Sequence, residues 1–148
     1  MPHRFDVIVR WSDEDRLGHV NNARYLTFTE DARLVWLADS PAGSGGVILA
    51  RTEVDFRSQV HFAAGGRLVV QTWVTAIGRS SAGLRQDIHR VDAPDGVATT
   101  ADPAQVLADP VATTANVLVC YDYRNQRSRP WTEEERAWLR TWMDQEGG

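Results

Sequence analysis

Three acidic residues followed by a Gly-His-Val-Asn-Asn run form the stretch of this sequence best suited to chemistry. The acids are Asp13, Glu14 and Asp15, and the run covers residues 18–22. A helical pattern begins directly after it, so a carboxylate would lie beside the amino end of a helix. Unpaired backbone N–H groups and the helix dipole favour negative charge there. A reaction that passes through an oxyanion could use both parts.

A solvated acidic loop is the simplest alternative interpretation of this cluster. Three local features favour a functional site instead. The cluster lies between an apolar strand pattern and an apolar helix pattern, and Gly18 permits a sharp turn or the close approach of a ligand. The amides of residues 21–24 would point out of the helix end, where they could polarise a carbonyl oxygen. We therefore interpret the loop as a candidate catalytic site.

The spacing of apolar residues predicts the elements on either side of the loop. Alternation over residues 5–11, with Trp11 on the apolar face, predicts a first strand. From Ala23 to Ala38 the spacing becomes helical, and Asn22 is the predicted N-cap. The stripe predicted to be buried comprises Tyr25, Phe28, Ala32, Val35 and Trp36.

Four further strands are predicted by alternation, at about residues 48–56, 68–76, 82–88 and 117–121. The turns that join them are short, which favours antiparallel pairing. The predicted architecture is α+β, in which one long helix packs against a curved antiparallel sheet of five to six strands.

A short internal repeat and a Trp-rich tail complete the single domain predicted for residues 1–148. The sequence of residues 97–101 recurs at 111–115, so we interpret 97–110 as a duplication inserted into a hairpin, with the second copy keeping the strand register. A capping-box pattern that starts at Thr132 predicts a C-terminal helix at about residues 131–145, packed on this domain or on a neighbouring subunit.

Composition limits the classes of function. The net charge is −4, so it gives no electrostatic case for binding nucleic acid, and no apolar run is long enough to span a membrane. A cytoplasmic protein without metal or cofactor is expected. The single cysteine, Cys120, lies in an apolar run typical of a buried thiol. All 16 basic residues are arginines, so a phosphate site would have to use Arg, hydroxyls or backbone N–H groups.

The acidic loop resembles a known signature. The pattern Asp13-x-Asp15-x-x-Gly18-His19-Val20-Asn21-Asn22-x-x-Tyr25, with Glu30 and Arg33 further along, is similar to that of the 4-hydroxybenzoyl-CoA thioesterase family of hotdog-fold proteins. The predicted order of elements also matches a hotdog fold, a long central helix wrapped by an antiparallel sheet. Residues 54–57 and 78–81 resemble that family's second strand and its turn between the third and fourth strands. The duplication and the Trp-rich tail depart from the family pattern.

The resemblance implies a thioesterase that hydrolyses an acyl-CoA. Its catalytic carboxylate falls on Asp15, acting either as a nucleophile through a mixed anhydride or as a general base on water. The oxyanion donor would be the backbone N–H of Asn22 or of a neighbouring residue. Supporting roles in the loop fall on Asp13, His19 and Asn21, and a His19 base is the lesser possibility.

The resemblance also implies contacts with the substrate and an oligomer. Tyr25 would line the acyl pocket or belong to the core. Arg79 would bind CoA phosphates together with the hydroxyls of Ser80 and Ser81, and Arg57 is a weaker candidate. Sheets of hotdog proteins pair edge to edge, so we expect a homodimer or homotetramer with active sites between subunits.

Two other functions stay open at this stage. An acyl-carrier-protein thioesterase would need a basic surface, which Arg124, Arg127 and Arg129 could offer. A non-catalytic hotdog module would bind an acyl thioester without turnover. The length and chemistry of the acyl group are not specified by the sequence.

Overall fold

The computed structural model describes residues 1–61, 67–91 and 106–144. Its elements in chain order are β1 (His3–Ile8), α1 (Asn22–Ala38), β2 (Val47–Phe56), β3 (Arg67–Ile77), β4 (Ser81–Val91), β5 (Val106–Asp122), β6 (Arg127–Ser128) and α2 (Glu133–Thr141). A short 3-10 turn, Trp11–Asp13, lies between β1 and α1.

The strands form one antiparallel sheet in the order β1-β3-β4-β5-β2, with the short β6 paired to β5. The α+β class and the antiparallel sheet predicted from the sequence are confirmed. β2 and β1 are the two edge strands of this order. Nine of the ten β2 residues are half-buried or exposed, so this edge is open to solvent in the single chain.

The two ends of the sheet, along the direction of the strands, are defined by different residues. At one end, Phe56 of β2 and Ile88 of β4 both pair with Ala112 of β5. At the other end, Val47 pairs with Cys120, whose N–H donates to the carbonyl oxygen of Ser80 at 2.7 Å. Residues 81 and 88 of β4 are roughly 20 Å apart at the usual strand rise of about 3.3 Å per residue.

Helix α1 packs on one face of the sheet. Tyr25, Phe28 and Ala32 belong to a core cluster with β1, β3, β4 and β5 residues, and Trp36 and Leu37 belong to a second cluster further along. The prediction that Val35 is buried is wrong, since its side chain is 48% exposed. Thr29 and Arg33 occupy the buried face of the helix instead.

Gln86 explains how polar residues are accommodated under α1. Its side chain accepts a hydrogen bond from Arg33 (3.1 Å) and donates to the Thr29 carbonyl and the Thr72 hydroxyl, both at 3.1 Å. Asn116 adds a further donor to the same oxygen. Because buried polar groups need partners, this network ties the helix to the sheet at a fixed register. Burial lowers the pKa of Arg33, against the opposing charge of Glu30.

The strand β5 begins earlier than the sequence predicts. Residues 106–110 were expected in the inserted loop, but they form the first part of β5, where Pro110 pairs with His89 and Val106 with Val91. Ala112–Ala115 of the second repeat copy pair with both β4 and β2. The rest of the predicted insertion, residues 97–105, lies outside the described residues.

Helix α2 packs on the domain's own sheet and on α1. Its N-terminus has the predicted capping box, with Thr132 and Glu135 each bonding the other's backbone N–H. Leu139 is buried, and the Trp138 ring lies 4.7 Å from that of Trp36 on α1. No helix among the described residues is long and apolar enough to cross a membrane.

Candidate active site

The loop between β1 and α1 separates its acidic residues by burial. Asp13 is fully buried and forms ion pairs with Arg10 (3.2 Å) and Arg24 (3.6 Å), while its carbonyl oxygen accepts the Asn21 N–H. Burial by itself raises the pKa of Asp13. The hydrogen bonds from Arg10 and the charges of Arg10 and Arg24 outweigh it, so this pKa is lowered. Asp13 therefore holds the loop together as a carboxylate.

Asp15 is held differently, with one carboxylate oxygen left free. Oδ1 accepts the N–H groups of Leu17 (2.8 Å) and His19 (3.2 Å), and the Asp15 N–H donates to the His19 carbonyl oxygen at 2.7 Å. Gly18 closes this tight loop with a φ of 78°, a conformation that glycine adopts at little cost. Within the described residues Oδ2 accepts no hydrogen bond. The loop thus presents one oriented carboxylate with an available oxygen.

The N-cap of α1 is Asn21, and the prediction of Asn22 is wrong. Asn21 has extended backbone angles (φ −61°, ψ 134°), and its side chain accepts the Ala23 N–H at 2.9 Å. Its backbone carbonyl accepts the Arg24 N–H, also at 2.9 Å. Asn22 is the first helical residue, and its N–H donates to no group in the described part of the chain. One first-turn amide is therefore available to a ligand.

These groups line one cleft of about 480 Å³ at the Phe56 end of the sheet. The cleft brings together most of the residues singled out from the sequence. It is lined by Asp15, Leu17, His19, Val20, Asn21, Asn22, Tyr25, Phe56, Arg57, Ser58 and Gln59.

One side of the cleft is aromatic. Tyr25 is only 2% exposed, and its ring lies edge-to-face with Phe56 at 5.6 Å. Burial raises the pKa of Tyr25, against the opposing charge of Arg90 and a hydrogen bond with the Val60 backbone, so the phenol is neutral at physiological pH. Tyr25 thus serves both as core residue and as cleft wall.

His19 has a contact that the sequence did not indicate. Its ring lies edge-to-face with that of His61, with 4.5 Å between centroids, and the two residues form an isolated antiparallel bridge. The adjacent Val20 N–H donates to the Val60 carbonyl oxygen at 2.8 Å. The loop is therefore fastened to the segment that follows β2.

Arg57 lies in the cleft, whereas Arg79, Ser80 and Ser81 do not. The Arg57 N–H donates to the Val111 carbonyl oxygen at 2.8 Å, which fixes the chain where β2 ends. The other three residues occupy the turn between β3 and β4, at the opposite end of the sheet. Within one chain they are not brought together with Asp15.

The sequence did not indicate four of the cleft residues, Leu17, Phe56, Ser58 and Gln59, nor His61, which packs against His19. Phe56 had a usable signal, because it lies in the segment that resembles the family's second strand. The others lie in loops with no pattern of their own. Their role depends on the end of β2 meeting the start of α1, which only the fold determines.

The residue types suggest three other kinds of site: a metal site, a reactive thiol and a basic surface. The described residues contain no group of three or more His, Cys, Asp or Glu side chains arranged to hold a metal ion. Burial raises the pKa of Cys120 to about 11, with the charge of Arg129 opposing, so this thiol stays protonated at neutral pH. Arg129 donates hydrogen bonds to both carboxylate oxygens of Glu135. Its charge is therefore already paired within the domain, which makes it a weaker candidate for binding an acyl-carrier protein.

Comparisons with known proteins agree with this fold. A family model described as the thioesterase-like superfamily matches residues 9–139, and the chain belongs to that superfamily. A search of curated proteins gave no match.

Solved structures of similar fold cover nearly the whole chain. A thioesterase from Thermus thermophilus, complexed with coenzyme A and Zn, is 28% identical with a TM-score of 0.73, over 93% of this chain and 96% of that chain. A predicted thioesterase from Bacillus stearothermophilus is 21% identical with a TM-score of 0.78, over 99% and 100%. YbaW, a probable thioesterase from Escherichia coli, is 23% identical with a TM-score of 0.72, over 96% and 99%.

Proposed function

We propose that this protein is an acyl-CoA thioesterase in which Asp15 is the catalytic carboxylate. Membership of the thioesterase-like superfamily indicates thioester hydrolysis as the class of reaction. The observation that carries the assignment is that Asp15 and Asn22 line the same cleft, and that Asp15 Oδ2 and the Asn22 N–H make no hydrogen bond within the described residues. The Asp13–Tyr25 motif supports a place near the 4-hydroxybenzoyl-CoA thioesterases within that superfamily.

The chemistry follows from these two groups. The thioester carbonyl oxygen would accept the Asn22 N–H, which stabilises the negative charge that develops there. Oδ2 would attack the carbonyl carbon and expel the CoA thiolate, giving a mixed anhydride that water then hydrolyses. Alternatively, Oδ2 would take a proton from a water molecule that attacks the same carbon. Both routes end in a free acid and the CoA thiol.

Coenzyme A as the carrier is supported by the T. thermophilus structure, which is described as a complex with coenzyme A. In the present chain the candidate phosphate ligands Arg79, Ser80 and Ser81 lie roughly 20 Å from the cleft end of the sheet. In a dimer, the turn of a second copy of the chain could lie beside this cleft.

The open edge of β2 offers the route to a two-fold dimer. Antiparallel pairing of β2 with β2 of a second copy places the Val47 end of one strand beside the Phe56 end of the other. The Arg79–Ser81 turn lies at the Val47 end, so each active site would combine Asp15 of one subunit with this turn of the partner. Exposed apolar side chains on β2 and α1, Leu49 and Leu34, would be covered by the same pairing.

The test is an activity panel of short, long and aromatic acyl-CoAs, read by thiol release. We expect turnover of at least one class, and saturable kinetics. A parallel panel of the same acyl groups on acyl-carrier protein tests the alternative carrier. Tight binding of acyl-CoAs with no thiol release from any member would contradict the proposal and favour a non-catalytic binding module.

A further inference from the structure

In the turn between β3 and β4, Gly78–Ser81, three of the four carbonyl oxygens accept hydrogen bonds from the C-terminal part of the chain. We refer to these residues as the β3–β4 turn. Arg136 Nη1 donates to the Gly78 carbonyl oxygen at 2.8 Å. Trp131 donates twice, from its backbone N–H to the Arg79 carbonyl oxygen and from its indole Nε1 to the Ser81 carbonyl oxygen, both at 3.0 Å. The remaining Ser80 carbonyl oxygen accepts the Cys120 N–H.

This anchoring fixes which way the amides of the turn face. In a planar trans peptide the C=O and the following N–H point in opposite directions. Because the Gly78 and Arg79 carbonyls point toward the C-terminal segment, the N–H groups of Arg79 and Ser80 point away from it. Neither N–H donates to a group within the described residues. Two successive turn amides that make no hydrogen bond within the described residues, next in sequence to an arginine side chain and a hydroxyl, are groups suited to binding an anion.

The segment that holds the turn is itself rigidly supported. We define the C-terminal segment as Pro130–Met143. Glu135 pairs with Arg129 through two hydrogen bonds of 3.0 and 2.7 Å and closes the capping box with Thr132. Trp142 extends the attachment, since its carbonyl oxygen accepts the Val74 N–H at 2.9 Å. None of these contacts depends on the side chains of the β3–β4 turn.

We propose that the C-terminal segment is a positioning element for phosphate binding, in which Trp131 and Arg136 orient the β3–β4 turn toward the phosphates of a CoA thioester. This inference rests on the proposed function, because it takes a CoA thioester as the substrate. Arg79 and Ser80 contact the phosphate, and Trp131 and Arg136 act through them. The acyl group and the reacting carbonyl are bound elsewhere, in the Asp15 cleft.

The test separates nucleotide binding from chemistry. Trp131→Phe keeps the aromatic packing and removes the indole donor, and Arg136→Gln removes the guanidinium. Each is expected to raise the Kd for adenosine 3′,5′-bisphosphate and the KM for an acyl-CoA by about three- to tenfold, with kcat unchanged. The KM for the same acyl group on N-acetylcysteamine, which carries no nucleotide, should not change. Arg136→Lys should restore part of the loss.

Matched controls lie in the same C-terminal segment. Trp138→Phe and Arg140→Gln make the same chemical changes at positions that do not contact the turn. They should leave the Kd and both KM values unchanged. Thermal unfolding of all variants shows whether a change in stability accompanies any change in Kd.

Three results would overturn the inference: failure of the wild type to bind the bisphosphate, an unchanged Kd in both turn-contacting variants, or equal losses with and without the nucleotide. Failure of the proposed function is a different outcome, in which the wild type hydrolyses no thioester. The calorimetric Kd for the bisphosphate still tests the inference in that case, because it does not require turnover.

Discussion

Asp13 and Asp15 are two positions apart, and we propose different roles for them because their surroundings differ. Asp13 is buried and forms ion pairs with two arginines, which stabilise its carboxylate form. Because it is buried, a substrate cannot reach it. Asp15 is exposed, and backbone amides hold only one of its oxygens. The assignment of roles therefore comes from burial and hydrogen bonding, since the two side chains are chemically identical.

Replacing Asp15 by Asn is expected to lower kcat by about 10²–10⁴-fold, because the amide can neither attack a carbonyl nor accept a proton from water. Asn keeps the hydrogen bonds from Leu17 and His19, so thermal unfolding should be close to wild type. Glu14→Gln, the same change one residue away, is the control and should retain activity. Wild-type turnover by Asp15→Asn would show that the catalytic carboxylate lies elsewhere.

Asp13→Asn is expected to lower the free energy of unfolding by about 2 kcal/mol at pH 7, because Arg10 and Arg24 lose a buried carboxylate partner. The folded-state pKa of Asp13 is below its ordinary value of 3.8, so its stabilisation is present above that pH and is lost as the pH falls through the folded-state pKa. Urea unfolding from pH 7 to pH 2.5 should show the two proteins converging below about pH 4. A difference that stays constant to pH 2.5 would contradict this role.

At the scale of elements, the start of α1 determines which amides are free. Asn21 uses its side chain and its carbonyl to satisfy Ala23 and Arg24, which leaves only the Asn22 N–H of the three. In the proposed mechanism the position of the cap matters, because a cap one residue earlier would engage the Asn22 N–H that is proposed to stabilise the oxyanion. Asn21 also anchors the loop by donating its N–H to the Asp13 carbonyl oxygen.

Asn21→Ala is expected to cost about 1 kcal/mol of stability, the usual effect of losing an N-cap side chain. Asn22→Ala is the matched control, and it should change stability by less than about 0.5 kcal/mol because Ala suits the first helical turn. Chemical denaturation of both variants at pH 7 measures the difference. A larger loss for Asn22→Ala than for Asn21→Ala would mean that the cap is misassigned.

At the scale of the whole molecule, the proposed dimer would account for both the open β2 edge and the position of the β3–β4 turn. A two-fold pairing would cover the edge and bring the turn of one copy to the cleft of the other. Leu34 and Leu49 line a cavity of about 160 Å³ between α1 and β2, beside this edge. A charge placed there would oppose association without entering the main core.

If the proposed dimer forms through β2, Leu49→Asp is expected to shift it to monomer and to raise the KM for an acyl-CoA, because the partner's turn would no longer reach the cleft. Ile8→Asp is the control, since Ile8 is 69% exposed on β1, the opposite edge of the sheet. Sedimentation velocity over a range of concentrations measures the change. Dissociation by Ile8→Asp with an intact Leu49→Asp dimer would place the interface on the other edge.

Most elements of the fold could be predicted from the sequence because alternation and helical spacing report directly which side of an element faces the core. The predictions of burial are wrong at positions where contacts with distant parts of the chain determine which side chain is buried. Val35 fits an apolar stripe but is exposed, whereas Arg33 lies on the buried face of α1, where Gln86 accepts a hydrogen bond from it. Trp11 continues the strand alternation, but the chain turns there and leaves it 72% exposed.

The sequence by itself determined the strand and helix order, the acidic loop before α1 and the residue types available for chemistry, because these depend on local spacing. Only the tertiary structure decided that Asp13 is buried, that Asp15 keeps a free oxygen and that Phe56 meets Tyr25. It also placed the β3–β4 turn at the far end of the sheet, under the C-terminal segment. Those facts depend on contacts between residues distant in sequence, and no local pattern encodes them.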